Sequence, residues 1–128
     1  VASVGEAGGE VPYTSYIAKR SWLSDNEDLA KGFLRAVLKG VKYAQTEDAN
    51  TVAEHLVGHF PSTSVQSLAT SVTSYRNIDA WVTDMAMTEA SFNRLQDIIE
   101  SAGELDRRAD FGALVDNSFV KEVYAQLS

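Results

Sequence analysis

The sequence predicts a mainly α-helical fold that begins with a short β segment. From Ser24 onward, apolar residues recur every three or four positions, which is the period of an amphipathic helix. Capping residues and stop signals bound these periodic runs. Residues 1–20 instead combine β-branched and aromatic residues with three glycines. The chain has 128 residues, of which 45% are hydrophobic and 23% charged, so it has the size and composition of one globular domain.

The first twenty residues are expected to form two short extended segments. Glycines at positions 5, 8 and 9 separate two groups of residues with a preference for extended backbone. Pro12 has no backbone N–H to donate. The second segment is therefore expected to be an edge strand, or to pair only after Pro12.

A long helix is expected next, starting from a capping box formed by Ser24 and Glu27. Its apolar stripe is predicted to face a core; the stripe consists of Leu29, Phe33, Val37, Val41 and Ala44. Gly32 and Gly40 lie within this helix and cost about 1 kcal/mol each relative to Ala. We therefore expect them to mark close approach of another helix.

Two helices follow around Pro61. Thr46 is expected to cap the first, and Pro61 to end it, because its ring cannot continue the hydrogen-bond ladder. Thr63 and Gln66 form a second capping box, which predicts the start of the next helix.

Residues 76–87 lack a clean period, so a loop or a short helical turn is expected around Trp81. Thr88 is expected to cap the following helix, and Gly103 to end it in a left-handed conformation. A polar connection then leads to a last helix capped by Asp116 or Asn117. The prediction is five helices and little sheet.

Composition excludes several classes of protein. The chain carries 11 Lys and Arg against 18 Asp and Glu, a net charge of -7, so nucleic-acid binding is not expected. It has no Cys, which removes disulfides, thiol nucleophiles and thiolate metal sites. No apolar run approaches the roughly 18 residues of a membrane-spanning helix, and the start does not resemble a signal peptide. The first residue is Val, so we expect a processed chain or a piece of a longer one.

The candidates for chemistry are weak. His55 and His59 share one face of a helix, as two zinc ligands would, but Leu56 stands where a metalloprotease has its Glu. Surface histidines are the favoured interpretation. No Gly-x-Ser-x-Gly elbow exists, and no pair of carboxylates is singled out. No catalytic residue, no metal ligand and no cofactor is therefore predicted.

The glycine-rich run from Gly5 to Gly9 matches neither a dinucleotide fingerprint nor a phosphate loop. Two interpretations stay open. It is either a simple turn or a mobile connection beside a ligand, since glycine lets backbone approach another surface closely.

Several stretches together resemble one family of binding proteins. They are GEVPYTSYIAK at 9–19, the following Trp-Leu, NEDLAKGFLRAVLKG at 26–40, FNRLQDIIESAG at 92–103 and LVDNSF at 114–119. In order and spacing they resemble the later part of ABC-transporter substrate-binding proteins of the periplasmic binding protein type II fold. The subgroup is the nitrate, sulfonate, taurine and thiamine-pyrimidine-precursor type, and the resemblance covers nearly the whole chain.

The resemblance implies the C-terminal part of an α/β fold with two lobes and a ligand cleft. Residues 1–20 would be the crossover or hinge strand, and residues 21–128 the helical part of lobe one, as a single domain. Ligand or hinge contacts are then expected from Glu6, Gly8, Gly9, Tyr13 and Thr14. Tyr13 could offer a ring face and a hydroxyl, and Glu6 could accept from an amine.

The resemblance also implies partners and a location. The partners are a small-molecule ligand, an ABC permease in the membrane and a missing N-terminal lobe of the parent chain. The parent protein would be periplasmic, or extracellular and membrane-associated. The isolated chain is expected to self-associate through exposed apolar surface. Two rivals remain: a free-standing helical protein-interaction domain and an enzyme of the thiamine-pyrimidine-synthase type.

Overall fold

The computed structural model describes residues 8–82 and 84–127, and these form helices joined by irregular segments. The helices are α1 (Arg20–Asp25), α2 (Glu27–Thr46), α3 (Ala49–Leu56) with a 3₁₀ turn at Val57–His59, α4 (Val65–Asn77), α5 (Glu89–Ser101), α6 (Phe111–Leu114) and α7 (Ser118–Leu127). The chain divides into two compact units. One runs up to Leu34 and resumes at Ala86, and the other is Arg35–Met85.

The predicted β segment and the α/β fold are wrong, because no strand occurs among the described residues. Residues 11–19 form an irregular segment that joins no ladder of backbone hydrogen bonds. A strand needs a neighbouring strand to satisfy its backbone groups, and the described part of the chain offers none. The first of the two expected segments lies outside the described residues.

The start of the long helix also differs from the prediction. Ser24 lies in the last turn of α1, so it does not form a capping box with Glu27. Asn26 separates α1 from α2, and its side-chain amide donates to the Trp22 carbonyl at 2.9 Å. The predicted stripe is only partly directed to a core, since Leu29 remains 62% exposed while the neighbouring Ala30 is buried.

The second unit is built on α3 and α4, which pack against each other. Asp48, and not the predicted Thr46, caps α3 by accepting from the N–H groups of Asn50 and Thr51. Ser64, and not Thr63, caps α4 through the Ser67 N–H. The small core between these helices consists of Ala53, Leu68 and Ala69, with Ala49, Leu56, Val57 and Val65 packed around it.

The first unit contains α5 to α7, and several predictions are confirmed there. Thr88 caps α5 by accepting from the Ser91 N–H at 3.1 Å, and Gly103 follows the helix with a φ of +75°. The buried Gln96 exchanges two hydrogen bonds with the backbone of Ala109, at 3.2 and 2.6 Å. These bonds attach the polar connection to α5.

Asp116 precedes α7 as expected, and it accepts from both the N–H and the hydroxyl of Ser118. Asn117 instead exchanges two hydrogen bonds with the backbone of Met87, at 3.1 and 2.9 Å. Val120 and Val123 are the buried residues of α7.

The expectation that Gly32 and Gly40 mark close helix approach is wrong. A methyl group built on either glycine meets nothing within 4 Å. Both positions face open space, so glycine there is not required by packing.

None of the helices in the described part of the chain combines the length and apolar character needed to cross a membrane.

Candidate functional site

The predicted site residues lie at the start of the described chain. Glu6 falls outside the described residues. Gly9 has a φ of +72°, a conformation that favours glycine. A methyl group there would come within 2.9 Å of the Arg94 guanidinium, whose Nη1 donates to the Glu10 carbonyl at 2.9 Å. Gly9 thus permits close contact with Arg94.

Tyr13 and Thr14 lie on the irregular segment and are exposed, Tyr13 to 96%. Gly8 is exposed as well. These residues are therefore near one another because they are close in sequence, and neither of the two grooves described below includes them. Tyr13 is therefore not a core residue.

Several exposed apolar side chains lie on this segment and on the neighbouring turns of α2, within the first unit. The Tyr16 ring packs edge-on against Phe33, with ring centroids 4.7 Å apart. Leu29 lies one helical turn before Phe33, and Ile17 is 93% exposed. We call this the N-terminal apolar surface; it consists of Tyr13, Tyr16, Ile17, Leu29 and Phe33.

A different constellation lies in the second unit, around Trp81. Arg76, in the last turn of α4, donates from Nε to the Ala44 carbonyl at 2.8 Å and also bonds the Glu47 carbonyl. Gln45 Nε2 donates to the Trp81 carbonyl at 3.1 Å. These bonds fix the loop that follows α4 to the end of α2.

The Trp81 ring stacks on Tyr75, with centroids 5.5 Å apart and an interplanar angle of 17°. On one side, Trp81 and Tyr75 line a polar groove of about 330 Å³ together with Gln45, Arg76 and Asp79. Asp79 has a φ of +48°, which is uncommon for a residue other than glycine. Asp is one of the residues that adopt this left-handed conformation most readily, and Asp79 lies in the turn that follows α4.

Trp81 also lines a second groove of about 330 Å³, which we call the Gly40 groove. Its lining is mostly apolar and comes from α2, α3 and the loop; the residues are Gly40, Val41, Tyr43, Ala44, Val52, His55, Leu56 and Trp81. The Tyr43 and His55 rings meet edge-on there, 5.6 Å apart.

His55 lies on α3, and His59 ends the 3₁₀ turn that follows it. Among residues 8–82 and 84–127, no group of three or more His, Asp or Glu is placed to hold a metal ion. His55 Nδ1 lies 2.8 Å from the Thr51 carbonyl, and both histidines are exposed. This is the surface arrangement that the sequence favoured.

The grooves could not be predicted from the sequence, because the pattern of residues 76–87 predicts only a loop or a short helical turn. The available signal was the aromatic Trp81 between polar residues, but Gln45 reaches the Trp81 carbonyl across 36 residues of chain, and Arg76 reaches the Ala44 carbonyl across 32. Local periodicity contains no information about such contacts.

Comparison with known proteins gives one informative match. The chain is 31% identical over 126 residues to "Putative binding protein YtlA" of Bacillus subtilis (strain 168). The match covers 98% of this chain and 38% of that relative, so the chain spans well under half of the relative's length. No family profile matches the chain, and no solved structure matches it.

That relative is named as a binding protein, which is the general class that the resemblance implies. The match does not by itself identify the family of ABC substrate-binding proteins.

Proposed function

We propose that this chain is part of a longer solute-binding protein that captures a small molecule for an ABC importer outside the cytoplasm. The similarity to a binding protein over 98% of the chain is the observation that carries the proposal. The ligand class is that of the resemblance: nitrate, a sulfonate, taurine or a thiamine-pyrimidine precursor. An ABC permease would be the partner that receives the ligand.

Ligand or hinge contacts are proposed at Gly8, Gly9, Tyr13 and Thr14, and also at Glu6, which falls outside the described residues. The exposure of Tyr13 supports this proposal, because the ring and hydroxyl are available to a ligand or to a second lobe that closes over one. The bond from Arg94 to the Glu10 carbonyl supports it too, since it anchors the backbone three residues before Tyr13.

A second lobe is proposed as the partner of the N-terminal apolar surface. Ile17 is 93% exposed and Leu29 is 62% exposed. Apolar side chains with so much exposed area are typical of a surface that another part of the protein covers. The relative is long enough to contain such a part, because this chain matches 38% of it.

The test is a melting-temperature screen of this chain and of the Bacillus subtilis relative with taurine, an alkanesulfonate, nitrate and an aminopyrimidine. One compound is expected to raise the melting temperature of the relative, and to be recovered unchanged, because binding to the folded state stabilises it. The proposal fails if none of them shifts either protein, or if the compound is consumed.

A matched pair of variants tests the contact residues in whichever protein responds. Tyr13→Ala, or its counterpart in the relative, is expected to reduce the shift, whereas Lys19→Ala is expected to preserve it. Lys19 is a suitable control because it is exposed on the same segment and lies outside the N-terminal apolar surface. Equal shifts in both variants would contradict a ligand role for Tyr13.

The alternative function is a free-standing helical interaction domain. The helical structure of the described residues and the N-terminal apolar surface favour it. Such a domain would show a melting shift with a protein partner and none with the four small molecules.

A further inference from the structure

We propose that the Gly40 groove binds an uncharged aromatic compound of about two rings, at a site separate from the contacts proposed at Tyr13. The groove lies in the second unit, and its lining shares no residue with the N-terminal segment. The inference therefore goes beyond the proposed function and does not depend on it.

The size of the groove sets the size of the ligand. Its volume of about 330 Å³ lies at the lower end of the range for small-molecule sites. An apolar cavity of about 150 Å³ holds a benzene molecule, so this groove has room for two aromatic rings.

The lining sets the chemistry of the ligand. None of its eight residues is Lys, Arg, Asp or Glu, so a charged ligand would lose hydration without gaining a charged partner. Trp81, Tyr43 and His55 provide ring faces and edges, and aromatic guests pack favourably in stacked or edge-on geometry. The His55 Nδ1 already has the Thr51 carbonyl as a partner.

The groove is preorganised by contacts that do not involve the ligand. Trp81 is held by the stack on Tyr75 and by the bond from Gln45 to its carbonyl. A ring fixed in this way loses little conformational freedom on binding, which favours affinity. The space beside Gly40 is unoccupied, since a methyl group built there meets nothing within 4 Å.

A small molecule fits this groove better than a second copy of the chain does. The two most exposed large apolar side chains of the described residues, Tyr13 and Ile17, lie in the other unit, so self-association is expected to use them.

The test uses N-phenyl-1-naphthylamine, an uncharged fluorescent probe, and the Trp22→Phe variant of the chain. The chain has two tryptophans, so this variant leaves Trp81 as the single donor of energy transfer to the probe. We expect saturable energy transfer at one equivalent of probe.

A charged probe of similar size, 8-anilinonaphthalene-1-sulfonate, tests the charge of the ligand. It is expected to bind at least about tenfold more weakly than the uncharged probe. Equal binding of the two probes would overturn the choice of an uncharged ligand.

Gly40→Leu fills the groove, and Gly32→Leu is the matched control on the same helix, since Gly32 also faces open space. We expect the Kd for the probe to rise about tenfold in Gly40→Leu and to change less than about twofold in Gly32→Leu. Melting curves establish that both variants fold. Where Gly40→Leu does not fold, Gly40→Ala replaces it, with an expected rise of about threefold.

The proposal is overturned if transfer is not saturable, or if both glycine variants weaken binding equally. It is also overturned if light scattering shows that the chain without probe is a dimer that Gly40→Leu dissociates, because the groove would then be an interface between two copies.

Discussion

Arg76 joins the last turn of α4 to the end of α2 through one guanidinium group. Its hydrogen bonds satisfy the carbonyls of Ala44 and Glu47, which lie where α2 ends and lack the usual helical partners. A positive charge at a helix C-terminus is also favoured by the helix dipole. Arg76 is partly buried, so both effects are less screened than on an open surface.

Replacing Arg76 by Ala is expected to lower the free energy of unfolding by about 2 kcal/mol, because hydrogen bonds from a charged group are lost. Urea denaturation at pH 7 measures the change. Arg107→Ala is the control, since it removes the same charge from an exposed position and is expected to cost less than about 0.5 kcal/mol. Equal losses in the two variants would contradict the anchoring role.

Asp116 makes the stability of α7 depend on pH. The hydroxyl of Ser118, followed by its backbone N–H, donates to this carboxylate and lowers its pKa. A lowered pKa in the folded state stabilises the fold above the unfolded-state value, near 4 for Asp, and the stabilisation is lost as the pH falls through the folded-state value.

Asp116→Ala is therefore expected to cost about 1 kcal/mol at pH 7 and progressively less as the pH falls below about 4. Urea denaturation across this range gives the comparison with the unsubstituted chain. Asp106→Ala, which removes a carboxylate from the polar connection, controls for the change in net charge. A pH-independent difference for Asp116→Ala would contradict the assignment.

At the scale of the elements, the glycines of the chain fall into two groups. Gly32 and Gly40 lie inside α2 and face open space, so each costs helix stability with no packing gain. Gly103 ends α5 with a φ of +75°, where a side chain would be strained. The same substitution is therefore expected to have opposite effects in the two groups.

Gly32→Ala and Gly40→Ala are each expected to raise the free energy of unfolding by about 0.5 to 1 kcal/mol. Gly103→Ala is expected to lower it by about 1 kcal/mol. Urea denaturation of the three variants checks the signs. A loss of stability at Gly40 would restore the idea of close helix approach that the structure overturns.

At the scale of the whole molecule, the exposed apolar side chains are the main feature. The N-terminal apolar surface is expected to bury itself against another protein surface, despite a net charge of -7. In the isolated chain a second copy is the available partner. The prediction of self-association stays a prediction until it is measured.

The isolated chain is expected to form a dimer or a larger species in light scattering at high concentration. Ile17→Ser combined with Leu29→Ser is expected to shift it toward the monomer, because both residues expose apolar area. Val82→Ser, at a position 56% exposed in the other unit, is the control and is expected to leave the mass unchanged. A monomeric unsubstituted chain would contradict this prediction.

The sequence by itself determined the features that depend on neighbours within about four residues. Thr88, Gly103 and Asp116 act on backbone groups next to them, so the ends of α5 and the start of α7 could be predicted. Pro61 likewise follows the end of the helical run at His59. The proposal of a binding role likewise came from stretches of sequence, through their resemblance to a family.

Only the tertiary structure decided what depends on distant partners. The segment at residues 11–19 has strand-forming residues, yet it is not a strand, because no second strand lies beside it in the described chain. Trp81 lines two grooves because Gln45 holds its carbonyl from 36 residues away. Periodicity measures which residues share a face of one helix, and it contains no information on what that face meets.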